Sequence, residues 1–165
     1  HANHHHCIFD TRSRGFFTGD TFGISYREFD GPNGPFIFAP TTPVAFDPDA
    51  WLESLNKLMA FDPQVMYLTH FGRLEHPGKQ VDNLRTSVQG MAELAIAEER
   101  RGSDRRQARL RDAMTAFLTQ NAQQHVPGMK TELIRNLLRV DIDLNAQGLE
   151  VWLQRRAKAT KTKGS

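Results

Sequence analysis

Val65-Met66-Tyr67-Leu68-Thr69-His70 decides how this chain is read. Four successive apolar residues are too few for a helix and lack the alternation of a strand with one wet face. The run therefore reads as a short strand buried on both faces, and it delivers Thr69 and His70 into a loop. Immediately upstream, Asp47-Pro48 opens a helix, with Asp as the cap and Pro in the first turn. Its apolar positions Trp51, Leu52, Leu55, Leu58 and Met59 recur at helical spacing and stop before Asp62-Pro63. Further upstream, His4 to Phe9 and Phe16 to Thr18 read as two short strands joined by the hairpin connection Thr11-Arg12-Ser13-Arg14-Gly15. Between that hairpin and the helix, residues 21–46 form a long irregular segment rich in Gly, Pro, Thr and Phe, with Gly31-Pro32-Asn33-Gly34-Pro35 as its turn cluster.

Downstream of His70 the sequence predicts a loop over Phe71 to Gly78 and then a helix from about Gln80 to Arg101, with Val81, Leu84, Val88, Met91 and Leu94 as its core stripe. Everything after Gly102 reads as helical. A charged helix starts at Ser103, carries Leu110, Met114, Phe117 and Leu118, and stops near Val126-Pro127-Gly128. Two shorter helices follow around Leu133 to Leu138 and Leu149 to Leu153, and Lys158 to Ser165 is expected to be a frayed basic tail. This is an α/β (α+β) pattern. It divides into a strand-containing part over 1–101, a helical appendix over 102–157 and the tail.

Composition removes several function classes. The chain has 165 residues, 39% hydrophobic and 24% charged, ordinary for one globular domain and long enough to bury a real core. A formal charge of +2 does not demand a nucleic-acid partner. The arginines at 100, 101, 105, 106, 109 and 111 are interleaved with Glu98, Glu99, Asp104 and Asp112, so they read as an ion-paired face without the aromatics that stack on bases. No apolar run is long enough to cross a bilayer. The single cysteine, Cys7, excludes an internal disulfide framework and reads as a small apolar residue of a strand. A cytoplasmic location is the expectation.

Three residues past strand ends carry metal-type chemistry: His1 in His1-Ala2-Asn3-His4-His5-His6, Asp20 in Phe17-Thr18-Gly19-Asp20, and His70. Imidazoles and carboxylates are the ligands that a borderline divalent ion such as zinc takes, and a carboxylate can bridge two ions. An expression tag would be a uniform His run. Here Ala2 and Asn3 interrupt it, and Cys7-Ile8-Phe9 continues as an apolar strand. His4 and His6 alternate to the face opposite His5 and are expected to pack or meet solvent. His76 reads as a loop residue, and His125 as a helix C-terminal residue, where a cationic side chain is favoured. Phe22, Tyr26, Arg27 and Phe29 follow Asp20 and are candidates to line a substrate pocket or, equally, to cover the sheet edge.

The succession His-Ala-x-His-His, an apolar strand, Phe-Thr-Gly-Asp, a helix, and Leu-Thr-His-Phe-Gly resembles the second half of a metallo-β-lactamase-fold hydrolase, the superfamily of glyoxalase II-type thioesterases, lactonases and β-lactamases. The resemblance covers roughly residues 1–101. It implies the C-terminal half of an αββα sandwich, followed by helices of the kind that cap the cleft in several members. It also implies a site for one or two ions, commonly zinc, with iron or manganese as alternatives. His1 matches the third metal-binding His, Asp20 the bridging aspartate, and His70 the last His, while His5 matches a position that hydrogen-bonds beside the metal. The implied activity is hydrolysis of a small thioester, ester or lactone by metal-bound hydroxide.

The family's His-x-His-x-Asp-His segment has no counterpart in the sequence, and the chain lacks an initiator Met. The expectation is a C-terminal portion whose other half, or a partner chain, supplies the remaining ligands; alone it should be inactive and should self-associate. A non-catalytic interaction module that keeps the fold is the alternative.

Overall fold

The computed structural model describes residues 5–32, 34–41, 45–70 and 72–163, the side chains of 161–163 excepted. Its framework is a four-stranded sheet in the order β1-β2-β3-β4, made of Ile8–Asp10, Gly15–Gly19, Val65–Leu68 and Gly72–Glu75. β1 and β2 form the expected hairpin, with Asp10 accepting hydrogen bonds from the Ser13 and Arg12 amides across its turn. β2 pairs with β3 in parallel, which requires a long crossover; the irregular segment and helix α1, Pro48–Met59, provide it. α1 starts as the sequence predicts, with the Asp47 carboxylate accepting from the Ala50 amide at 3.0 Å.

The strand registers sort the side chains into rows. Phe9, Phe16, Met66 and Leu74 lie opposite one another on the face that joins the hydrophobic core. Trp51, Leu55 and Leu58 of α1 belong to the same core, as do Val81, Leu84, Val88 and Met91 of α2, Gly78–Arg100. The neighbouring row, Ile8, Phe17, Tyr67 and Arg73, points the other way, because strand side chains alternate with period two. Ile8 is 58% and Phe17 51% exposed, and Phe17 stacks on Tyr67 at 4.7 Å.

Several expected boundaries move. β1 begins at Ile8 and leaves His5, His6 and Cys7 outside the strand, where the sequence suggested a strand from His4. Cys7 is half-buried against the core, with its thiol 3.5 Å from the Thr18 carbonyl oxygen, and burial pushes the thiol up. The segment expected as a loop after His70 contains β4, which adds antiparallel to β3. The two last helical segments are α4, Thr131–Leu137, and a single long α5, Arg139–Lys163, which continues through most of the stretch expected to fray.

α3, Arg106–His125, α4 and α5 are joined to the first hundred residues by one continuous core that includes Leu110, Met114, Leu118, Ile134, Leu149 and Leu153. In the arginine-rich stretch Arg101, Arg106, Arg109 and Arg111 are ion-paired, the last three between helices. Arg109 and Arg101 hold Glu98, Arg106 grips Glu150 of α5 with two bonds of 2.7 and 2.8 Å, and Arg111 pairs with Asp143.

α5 also reaches the irregular segment. Asn145, fully buried, accepts from the Thr41 amide at 2.5 Å through its side-chain oxygen and donates to the Ala39 carbonyl at 3.2 Å. A Cβ on Gly148 would stand 2.3 Å from Thr41 Oγ1 and 2.7 Å from Thr41 Cβ. The glycine inside this helix is thus a packing requirement.

Two stability outcomes follow from these contacts. Gly148→Ala should lower the denaturant midpoint by an equivalent of about 1–3 kcal/mol of overpacking, although alanine exceeds glycine in helix propensity by about 1 kcal/mol. A raised midpoint would show that α5 does not pack on Thr41 as described. The Arg106 bonds hold the Glu150 carboxyl below its usual range, so this pair stabilises the fold above the unfolded glutamate pKa and is lost as pH falls through the folded one. Glu150→Gln should therefore lower Tm at pH 7 and flatten its fall between about pH 5 and 3, measured by thermal melts across pH.

Candidate functional site

Parallel pairing brings the C-terminal ends of β2 and β3 to the same edge of the sheet, with Gly19 and Leu68 as the last partners. Asp20 is the next residue of one chain end and His70 lies two residues beyond the other. Their side chains meet, His70 Nε2 standing 3.6 Å from Asp20 Oδ1. The strand ends of a sheet with parallel pairing are where ligands commonly bind.

Local backbone fixes the aspartate. The β2 register shifts between Phe17 and Gly19, and Gly19 has φ +54°, in the left-handed region that glycine enters at least cost. The His5 ring lies across this glycine, its Cε1 3.1 Å from where a Cβ would be. After the strand, the Thr21 amide donates to the Thr18 carbonyl and the Gly23 amide to the Asp20 carbonyl, at 3.1 and 3.0 Å. The buried indole N–H of Trp51 donates to the Thr21 carbonyl at 2.7 Å, so α1 holds the turn that carries Asp20.

A second pair lies nearby. Tyr26 Oη donates to Asp141 Oδ2 at 2.8 Å, which brings α5 onto the irregular segment. Burial raises the Asp141 carboxyl above the usual aspartate range, while the Tyr26 bond and the charge of His70 pull it down less strongly. Burial and the facing carboxylate likewise raise the Tyr26 phenol. Arg27 is exposed and pairs with Asp30 at 3.2 Å, and its guanidinium rests 2.6 Å from the position of a Cβ on Gly72, whose φ is +115°.

Of the residues singled out in the sequence, Asp20 and His70 are brought together, His5 lies beside them, and Tyr26 and Arg27 reach the surface of the same segment. Phe22 and Phe29 do not reach the surface. Both are completely buried in the core, because the segment folds its phenylalanines inward against α1, α2 and one another. His1 and His4 lie outside the described residues. His6 and His76 are exposed, and His125 ends α3 with Nε2 donating to the Gly34 carbonyl at 2.8 Å. Asp141 went unnoticed in the sequence; it sits 115 residues from Tyr26, and its one local signal is a carboxylate on a helix.

Two donors that each bind one tetrahedral zinc at about 2.0–2.2 Å stand about 3.3–3.6 Å apart. The Asp20 to His70 separation fits that spacing. Among the described residues, no group of three or more His, Cys, Asp or Glu side chains is arranged to hold an ion, so two donors are what the described site offers.

Comparison with family models gives no match, and no curated protein matches the sequence.

Tyr26→Phe removes the donor to a buried carboxylate and should cost about 1–3 kcal/mol at pH 7. Because the phenol favours the charged carboxylate, the loss should shrink as Asp141 becomes protonated at low pH. Chemical denaturation of both proteins at pH 7 and pH 4 measures this; an equal loss at the two values would remove Asp141 as the partner.

Proposed function

We propose that Asp20 and His70 belong to the site of a metal-dependent hydrolase of the metallo-β-lactamase fold, acting on a small carbonyl substrate such as a thioester, ester or lactone. The supporting observation is the 3.6 Å approach of these two side chains at the ends of neighbouring parallel strands. In this reading the sheet is one half of an αββα sandwich, and its Ile8, Phe17 and Tyr67 face receives the other half.

Asp20 Oδ1 and His70 Nε2 would hold the ion, with zinc the first choice and iron or manganese as alternatives for the same donors. A divalent ion bound there would activate water and polarise a carbonyl. The remaining donors would come from His1 and from a His-x-His-x-Asp-His segment on another part of the working protein or on a partner chain. His5, whose ring lies across Gly19, would help to orient Asp20. Arg27, exposed on the irregular segment with its guanidinium beside Gly72 of β4, would bind an anionic or polar part of the substrate.

An interaction module without catalysis is the second reading, favoured by the exposed row of Ile8 and Phe17, a contiguous apolar surface of the kind that marks an interface. Self-association through that face accords with either reading. Paired arginines make a nucleic-acid surface the weakest of the alternatives.

Metal content separates the readings. Elemental analysis of protein purified without an immobilised-metal column, together with turnover of a thioester and a lactone, should show bound metal and hydrolysis in the protein that carries all ligands. Asp20→Ala should lower metal affinity by more than about 100-fold, the upper end for loss of a group that merely supports a ligand. Retention of both metal and rate by Asp20→Ala would overturn the hydrolase reading.

A further inference from the structure

A cleft of about 630 Å³ lies between α2 and α3, walled on its third side by Pro32, Phe36, Ile37 and Phe38, and it shares no residue with the Asp20 and His70 site. The volume is in the range of small-molecule sites, about 300–1,000 Å³. Four carboxamides line it, Gln80 and Asn83 from α2 and Asn121 and Gln124 from α3. Gln80 is the informative one. It is 9% exposed, and its buried side-chain oxygen has no hydrogen-bond partner. A buried carboxamide oxygen left without a donor is costly to keep, and such a group calls for an explanation.

The rest of the lining narrows the ligand. Asp82 is neutralised by Arg85 at 2.8 Å, which leaves Lys79 as a single charge at the cleft. The dominant chemistry is thus neutral, with each carboxamide able to donate and accept at once. Of the aromatic residues on the lining, Phe36 and Phe38 are buried, and Phe36 packs on Phe29, Phe38 and His125, so the two phenylalanines present little ring face to a ligand. That disfavours a stacked nucleobase and favours a ligand whose adjacent hydroxyls both donate and accept. His125 holds the wall in place through its bond to the Gly34 carbonyl, and a Cβ on Gly34 would lie 3.4 Å from the Gln80 amide nitrogen.

We propose that this cleft binds a small neutral polyol of the sugar class, with the carboxamides of Gln80, Asn83, Asn121 and Gln124 reading its hydroxyls.

Side-chain amide signals followed by NMR during titration with maltose, and separately with adenosine, test this on the whole chain. Maltose should shift the Asn83 and Asn121 amide signals saturably in the millimolar range. Gln80→Leu should weaken that binding at least tenfold while raising Tm, since it removes the unpartnered buried oxygen. Asn83→Ala, at an exposed position, should weaken binding with Tm unchanged. Absence of saturable shifts with maltose would overturn the proposal, as would adenosine binding where maltose does not, or maltose binding that both variants leave intact.

Discussion

The parallel pairing of β2 with β3 is the constraint from which the rest of this structure follows. An antiparallel partner could have been reached by a tight turn, whereas a parallel one requires the chain to travel the full length of the sheet before returning. Residues 20–64 make that journey, and α1 packs its Trp51, Leu55 and Leu58 under the sheet on the way. The same geometry puts both strand exits at one edge, so that Asp20 and His70 face each other although fifty residues separate them. Trp51 ties the two consequences together. Its ring is core, and its N–H holds the Thr21 carbonyl one residue past the aspartate. Packing of the crossover helix and aim of the site side chain are therefore a single event.

α5 plays the corresponding part for the irregular segment. A stretch of some two dozen residues without long strands would leave many backbone polar groups unpaired on burial. Here the isolated bridge between Ile24 and Phe38 satisfies the middle, and Asn145 satisfies the amide of Thr41 and the carbonyl of Ala39. Tyr26 and Asp141 close the other end. The helices after residue 102 thus order the segment that borders the site, in addition to extending the core.

Much of this was legible in the sequence, and what was missed has identifiable causes. The hairpin, the capped α1, the buried β3 and the stripes of α2 and α3 announce themselves through turn residues, an Asp-Pro cap and apolar periodicity. β4 does not, because Gly72-Arg73-Leu74-Glu75 offers one core residue, Leu74, and an edge strand of four residues needs no more. α5 is longer than the apolar stripe at Leu149, Trp152 and Leu153 suggests, and the Gly148 inside it is demanded by Thr41. The pairing of Asp20 with His70 was expected only as part of a three-residue pattern, and periodicity could not supply the distance between them. Asp141 and the amide-lined cleft had no sequence signal at all, since each is assembled from elements whose separation in the chain exceeds any local pattern.

The sheet also explains why its two faces carry different kinds of information. The row of Phe9, Phe16, Met66 and Leu74 is closed by helices, so its identity is dictated by packing. In the row of Ile8, Phe17 and Tyr67 the tyrosine is partly buried but Ile8 and Phe17 are more than half exposed, and burying an aromatic or branched side chain is worth about 1.5–3 kcal/mol that these two leave largely unrealised. A protein that shielded the face only with solvent would gain by placing polar residues there, as at the β4 end of the row, where Arg73 is ion-paired at 2.8 Å with Glu75 on the same face. The apolar centre and the charged margin together have the composition of an interface core and its rim. Because the face backs directly onto the strands that end at Asp20 and His70, whatever covers it would also stiffen the strand ends that set the distance between those two side chains.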